Sequence, residues 1–316
     1  MLEHIGAFAA LGTAVCWTIT ALAFEKAGKE IGSLSLNLLR LVAALALFVG
    51  YSMLFRGQPL PLDASPGTWG WLSLSGLVGF VIGDLFLFQA FVLIGARLSM
   101  VVYTLVPPLS AVLGFLAIGE RLGPRELLGM LLAVAGVGIA VAGRPRATRD
   151  APGTPPDVDS HLSLGVTAAP GAALLVGVLF AFLGALGQAG GLVLARIGVG
   201  SYDAFAATQI RTIAGIGGFL LVFLLGHRWK LLVRSLHKPR AFLPLSVGAF
   251  FGPFLGVSLG MFALKHTETG VAATLMALVP ITIIPPSVVL FKERVTATEI
   301  LGTLLAVVGV ALIFTA

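Results

Sequence analysis

The sequence predicts an all-α membrane protein, with ten transmembrane helices arranged as two inverted five-helix repeats. Three observations lead there. Hydrophobic residues make up 58% of the 316 residues and charged residues only 11%, with a mean hydropathy of +1.03. A soluble domain carries about 25% charged residues, so this chain lacks the polar surface to face water. Apolar runs of about 20 residues, the length that crosses a bilayer, recur throughout. Finally, the second half of the chain repeats the first.

In chain order, the first run is 6–25. It follows an N-terminus without a basic region or a small-residue cleavage site, so it reads as a retained span rather than a signal peptide. Cys16, the single cysteine, lies inside it as a small apolar packing residue, which excludes an internal disulfide framework. The next runs are 33–55, 69–94, 98–118 and 124–143, then 171–195, 203–226, 242–264, 269–291 and 296–315. Connections are short except for 144–170, "RPRATRDAPGTPPDVDSHLSLGVTAAP", a Pro-, Asp- and Arg-rich solvated linker. The expected organisation is therefore 1–143 as the first repeat, 144–170 as linker and 171–316 as the second repeat. Segment 227–241, "HRWKLLVRSLHKPRA", reads either as a basic interfacial helix or as a loop.

The repeat is explicit. "ERLGPRELLGMLLAVAGVGIAVA" (120–142) and "ERVTATEILGTLLAVVGVALIFT" (293–315) share eleven of 23 positions at an offset of 173. The same offset aligns "LVPP" (105–108) with "LVPI" (278–281) and Gly83 with Gly256. An offset of 171 pairs Arg40 with Arg211 and Trp17 with Gln188. An odd number of crossings per copy starts the second copy on the opposite side of the membrane, so the copies must be inverted. That arrangement points to secondary transporters, with a site near the midplane where the copies meet.

Prolines interrupt corresponding spans: Pro107 and Pro108 in one copy, Pro280, Pro285 and Pro286 in the other. Proline removes a backbone donor and breaks a helix interior. Such interruptions at matched positions mark the binding region or the hinges of a transporter, or packing kinks alone.

A buried charge inside a span is costly, so each one is a candidate. Asp84 lies near the middle of the third span and has no acidic counterpart, since Val257 takes its repeat position. It suits proton coupling or binding of a substrate amine; the competing reading is a fixed ion pair with Arg40. Arg40 and Arg211, about two turns into their spans, suit a gate or a substrate carboxylate contact, or else snorkelling to the headgroups. Trp17, Thr20, Gln89, Tyr103, Gln188 and Met276 are the candidate lining of a substrate cavity. Glu120, Arg121, Glu293 and Arg294 fall at span edges and read as solvated turns. The small residues Gly129, Ala133 and Gly136, mirrored by Gly302, Ala306 and Gly309, permit close helix contact within one chain or between two. No metal-ligand spacing joins the five histidines and no P-loop is present, so no metal or other cofactor is expected.

Taken together, the two five-span halves, Trp17, Arg40 and above all "GERLGPRELLGMLLAVAGV" (119–137) resemble the EamA-type ten-helix transporters of the drug/metabolite transporter superfamily. The resemblance covers nearly the whole chain. It implies a gradient- or proton-driven carrier, often an exporter, of amino acids or similar metabolites. It also implies a central cavity lined by the first four helices of each half, with the fifth and tenth outside. Gln89 stands where many relatives carry tyrosine. Orientation is a second departure. Thirteen Lys and Arg lie in the connections after odd-numbered spans and five in the others, which places both termini outside the cytoplasm, whereas the resemblance implies inside. The expected partners are a small-molecule substrate and membrane lipid, without nucleic acid; monomer and homodimer stay open. The expected setting is the plasma membrane, the inner membrane of a bacterium. A flippase for lipid headgroups or lipid intermediates is the alternative function. An intramembrane enzyme would need clustered acid, base or metal groups that the sequence does not bring together.

Overall fold

The computed structural model describes residues 2–118, 123–143, 173–200, 202–266, 275–276, 278–292 and 294–314. Linker 144–170, Glu120, Arg121 and Glu293 lie outside the described residues. Among the described residues every regular element is helical. Helices α1 (Leu2–Ile31) and α2 (Ser33–Arg56) are parted only by Gly32, whose φ of 77° suits glycine alone. Next comes one continuous rod: α3 (Pro66–Gly76), a π-helical turn (Leu77–Gly83) and α4 (Asp84–Ile94). Its start is set by Ser65, which accepts the Thr68 N–H at 3.1 Å, and by Pro66 in the first turn. Helices α5 (Ala96–Tyr103), α6 (Val106–Ile118) and α7 (Pro124–Ala142) complete the first half.

The second half opens with α8 (Ala173–Val199) and α9 (Ala204–Leu225), the latter capped by Asp203 on the Ala206 N–H at 2.9 Å. The segment around residue 230 is a short helix, α10 (Trp229–Leu236), with Trp229, Val233 and Leu236 exposed as an apolar edge. Then follow α11 (Pro239–Ala249), a second π-helical turn (Phe250–Gly256) and α12 (Val257–His266). Helices α13 (Val279–Thr282), α14 (Ile284–Phe291) and α15 (Ala297–Phe314) end the chain.

Among the described residues, six helical stretches are long and apolar enough to cross a bilayer: Ile5–Ile31, Ser33–Arg56, Pro66–Ile94, Ala96–Ala117, Ala173–Val199 and Phe205–Leu225. Leu127–Ala142, Val279–Phe291 and Ala297–Ile313 are shorter apolar helices. Outward-facing Leu54, Phe55, Leu131, Leu175 and Leu243 are exposed, as expected of a surface whose solvent is hydrocarbon. The protein is an integral membrane protein.

Pro107, Pro108, Pro280, Pro285 and Pro286 do not interrupt helix interiors; they stand in the first turns of helices. Before α6, Thr104 and Leu105 donate to Val101 and Val102 carbonyls in tight turns of 3.2 and 3.0 Å, and Pro107 and Pro108 follow in the first turn of the new helix. Pro280 sits likewise in the first turn of α13, and Pro285 and Pro286 in that of α14. A missing N–H costs least there, because those positions have no intrahelical acceptor.

The two π-helical turns are a feature that the residue pattern did not announce. Asp84 donates its N–H to Gly79 and Val257 to Gly252, each five residues back. The turns stand 173 residues apart, the offset of the repeat. Each inserts an extra residue and so rotates the following helix by about 100°.

Packing pairs the two halves reciprocally. α1 lies against α11 and α12, and α8 lies against α3 and α4. α2 runs antiparallel to α9, with Ser52 near Gln209 and Leu41 near Gly215. α7 and α15 make the tightest contact: Gly129 abuts Gly309, and Gly136 abuts Gly302 and Ala306. The mirrored small residues are therefore spent on a contact within one chain. The order of these contacts makes the pair antiparallel.

Candidate functional site

Predicted site residues from both halves meet in one buried cluster. On α2, Arg40 is paired with Asp84 at the head of α4, and both side chains are about nine-tenths removed from the surface. Arg40 Nε donates to Asn37 Oδ1 at 3.1 Å, and Asn37 Nδ2 donates to the Ser33 and Asp84 carbonyls at 3.0 and 3.2 Å. The guanidinium also stands 4.6 Å from the Phe88 ring centroid, close enough for a cation–π attraction. The ion pair anticipated as an alternative is thus formed. The π-helical turn explains how: it delivers Asp84 to the face of the rod that meets α2.

Gln89 joins the same wall, accepting the Ser33 hydroxyl proton at 2.7 Å. It is fully buried between α2 and α4. Tyr103, at the end of α5, is half-buried against the clusters on both sides of the helix break, within Coulombic range of Asp84, Arg40 and Arg211.

Arg211, on α9, approaches this cluster from the other half and lies within Coulombic range of Asp84. Its guanidinium stacks on Phe80 at 4.5 Å, and Phe80 also faces Arg40 at 5.9 Å. Gln188, on α8, reaches the same place: an added Cβ at Gly79 would lie 3.3 Å from both Arg211 Nη2 and Gln188 Oε1. Phe80 is a residue that sequence reasoning missed, since a phenylalanine in a span is ordinarily lipid-facing or core.

Trp17 and Thr20 occupy the pseudo-equivalent place on α1. Trp17 lies against Gly256 of the second π-helical turn, and more than a third of its surface stays exposed. Thr20 sits against Gly252 and donates to the Cys16 carbonyl at 2.8 Å. Thr18 and Thr282 share a 2.6 Å hydrogen bond that ties α1 to the proline-started α13. Met276 packs toward Gly260, near Ala10 and Ala263. The first π-helical turn thus has Asp84, Arg211 and Gln188 beside it, and the second has Trp17 and Thr20.

Each membrane face has its own ties. On the basic face, Glu25 accepts the Ala96 N–H at 2.7 Å and Lys29 at 2.5 Å, so a buried carboxylate caps α5. Arg97 and Glu299 form a buried pair at 2.6 Å between α5 and α15. Lys238 donates to the Glu30 carbonyl at 2.7 Å, and Thr296 to that of Gly143 at 2.7 Å. Glu25 and Glu299 were not singled out from the sequence. The repeat held a signal for Glu299, because Glu126 is its counterpart at the same offset of 173.

On the opposite face, Asp63 is held by Arg56 at 2.8 Å and by the Tyr202 hydroxyl at 2.8 Å. The Tyr202 hydrogen bond, then the Arg56 charge, keep the Asp63 carboxyl below its usual range. Burial, then the Asp63 acceptor, push the Tyr202 phenol up. A cavity of about 580 Å³ opens here, lined by Arg56, Asp63, Trp71, Tyr202 and Asp203 among others. It contains none of the predicted residues. The buried cluster is the stronger candidate, because charges held in apolar helices require a reason that rim charges do not.

Comparison with known proteins agrees with this architecture. The EamA-like transporter family profile matches residues 4–142 and 175–315, one copy on each half. A solved structure described only as "Crystal structure of protein" is similar over 97% of this chain and 95% of its own, with a TM-score of 0.62 and 19% identity. That likeness speaks to the fold alone. No curated protein matches.

Proposed function

Given that this chain belongs to the EamA-like transporter family, and is thereby a membrane transporter of the drug/metabolite superfamily, we propose that it carries a small organic metabolite such as an amino acid by alternating access. In this reading the helical rods form ten spans in two inverted five-span copies within the plasma membrane. The carrier acts as an exporter driven by a proton gradient. The observation that supports it best is the Arg40–Asp84 pair with Arg211 beside it, buried in apolar helices where the two halves meet. Asp84 has the roles of a coupling group: it is acidic, central and present in one copy only. Arg40 stabilises its ionised form, and protonation of Asp84 releases that pair and frees the α2–α4 contact to rearrange. The proline-started helices and π-helical turns supply the places where the rods can bend.

Purified protein in proteoliposomes tests the reading. With an imposed pH gradient, a panel of amino acids and related metabolites is expected to show at least one solute moved. Asp84→Asn is expected to insert and fold yet lose gradient-driven flux, while exchange of labelled for unlabelled solute persists. Full gradient-driven flux by Asp84→Asn removes Asp84 from coupling, and no flux of any solute counts against transport of this class.

A further inference from the structure

The two repeat-related arginines are in different chemical states. Arg40 has a carboxylate and an amide oxygen for its guanidinium. Arg211 has neither: its Nε and Nη2 are buried and have no hydrogen-bond partner. The nearby Gln188 Oε1 is likewise buried without a donor. Both groups converge on Gly79, where an added Cβ would lie 3.3 Å from Arg211 Nη2 and 3.3 Å from Gln188 Oε1. Asp84 cannot serve both arginines fully, since it is already engaged by Arg40, so the three charges together leave one positive charge uncompensated. A buried guanidinium without an acceptor is costly, and apolar helices are where it is least expected.

We infer that Arg211, with Gln188, is a binding subsite for an anionic group of the transported molecule, a carboxylate or a phosphate. The planar guanidinium fits either in bidentate fashion through Nε and Nη2, the two atoms left without partners. Gln188 adds an amide that accepts from a neighbouring ammonium or hydroxyl of the ligand, or donates to the anion when turned over. Phe80 stacks on the guanidinium, holding its plane and leaving its edge to the ligand. The glycine at 79 is then a requirement of the site, because a methyl group there crowds both polar atoms. The subsite rests on the transport reading only for its place on a substrate path.

The test uses purified full-length protein in uncharged detergent, with thermal stabilisation titrated by phenylacetate, phenylacetamide, phenyl phosphate and a short-chain phosphatidate. Wild type is expected to bind at least one anionic probe at least tenfold more tightly than the neutral amide. Arg211→Gln, and independently Gly79→Ala, are expected to reduce that preference to within about twofold. Binding by the soluble anions assigns the group to a metabolite, and binding by phosphatidate alone assigns it to a lipid headgroup; both uphold the subsite. Equal binding of acid and amide, no binding of any anionic probe, or a preference that survives Arg211→Gln overturns it. So does an Arg211→Gln protein that melts higher with its anion preference intact. Flux in proteoliposomes separates the two readings: solute flux insensitive to Arg211→Gln keeps transport and removes the subsite, whereas anion binding without flux of any solute does the reverse.

Discussion

Arg97 and Glu299 show how much one pair of residues can do in a chain with few charges. Both are almost fully buried, and their 2.6 Å contact joins α5 of the first half to α15 of the second. Removing one partner strands the other charge, which costs about 3–5 kcal/mol, whereas replacing both with apolar residues of similar volume is often neutral. Arg97→Met or Glu299→Leu alone is therefore expected to lower the melting temperature of the purified protein sharply. The double variant is expected to recover most of the loss. Arg97 was legible only as a basic residue in a connection and Glu299 only as part of a repeated segment. Neither residue type nor spacing says that side chains 202 positions apart will meet.

At the scale of elements, the α7–α15 contact is set by absences. Gly136 has backbone atoms of Gly302 and Ala306 directly where a side chain would begin, so the two helices approach as closely as glycine allows. Gly138, two residues on, faces open space. Gly136→Val is expected to destabilise the protein by about 1–3 kcal/mol through forced separation. Gly138→Ala is expected to be neutral or slightly stabilising, since alanine favours helix by about 1 kcal/mol. Thermal unfolding of both variants checks the contrast. The small-residue stripe was readable in the sequence, but its partner was not: a stripe specifies close approach and leaves the neighbour open. The prolines are similar. Their positions announced interruptions, and the structure turned these into helix starts because tight turns at Thr104 and Leu105 end the preceding helix first.

For the whole molecule, the contacts sort the connections onto two faces. Those near Lys29, Arg97, Gly143, Lys238 and Arg294 gather at one end, and those near Arg56, Asp63 and Tyr202 at the other. The first end belongs to the set of connections that holds thirteen of the Lys and Arg residues, and charge bias assigns such a face to the cytoplasm. Single cysteines test this. Leu62→Cys is expected to react with a membrane-impermeant maleimide in intact cells, and Lys230→Cys only after permeabilisation. Native Cys16 is buried and gives little background. The reverse labelling pattern overturns the assignment and agrees with the orientation that the family resemblance implied.

Legible in the sequence were the membrane setting, the all-helical class, the duplication and the family. Each of these follows from local composition or from self-similarity, which the chain carries along its length. The tertiary structure alone decided that Arg40 takes Asp84, that Gln89 turns to Ser33 and that Arg211 is left facing Gln188 across Gly79. The first π-helical turn contributes, because it adds one residue to the rod just before Asp84 and so changes which face Asp84 and Gln89 present. A shift of one residue in hydrogen bonding leaves no mark in hydrophobic periodicity, yet it turns the residues that follow it, Asp84 first among them, toward a different neighbour.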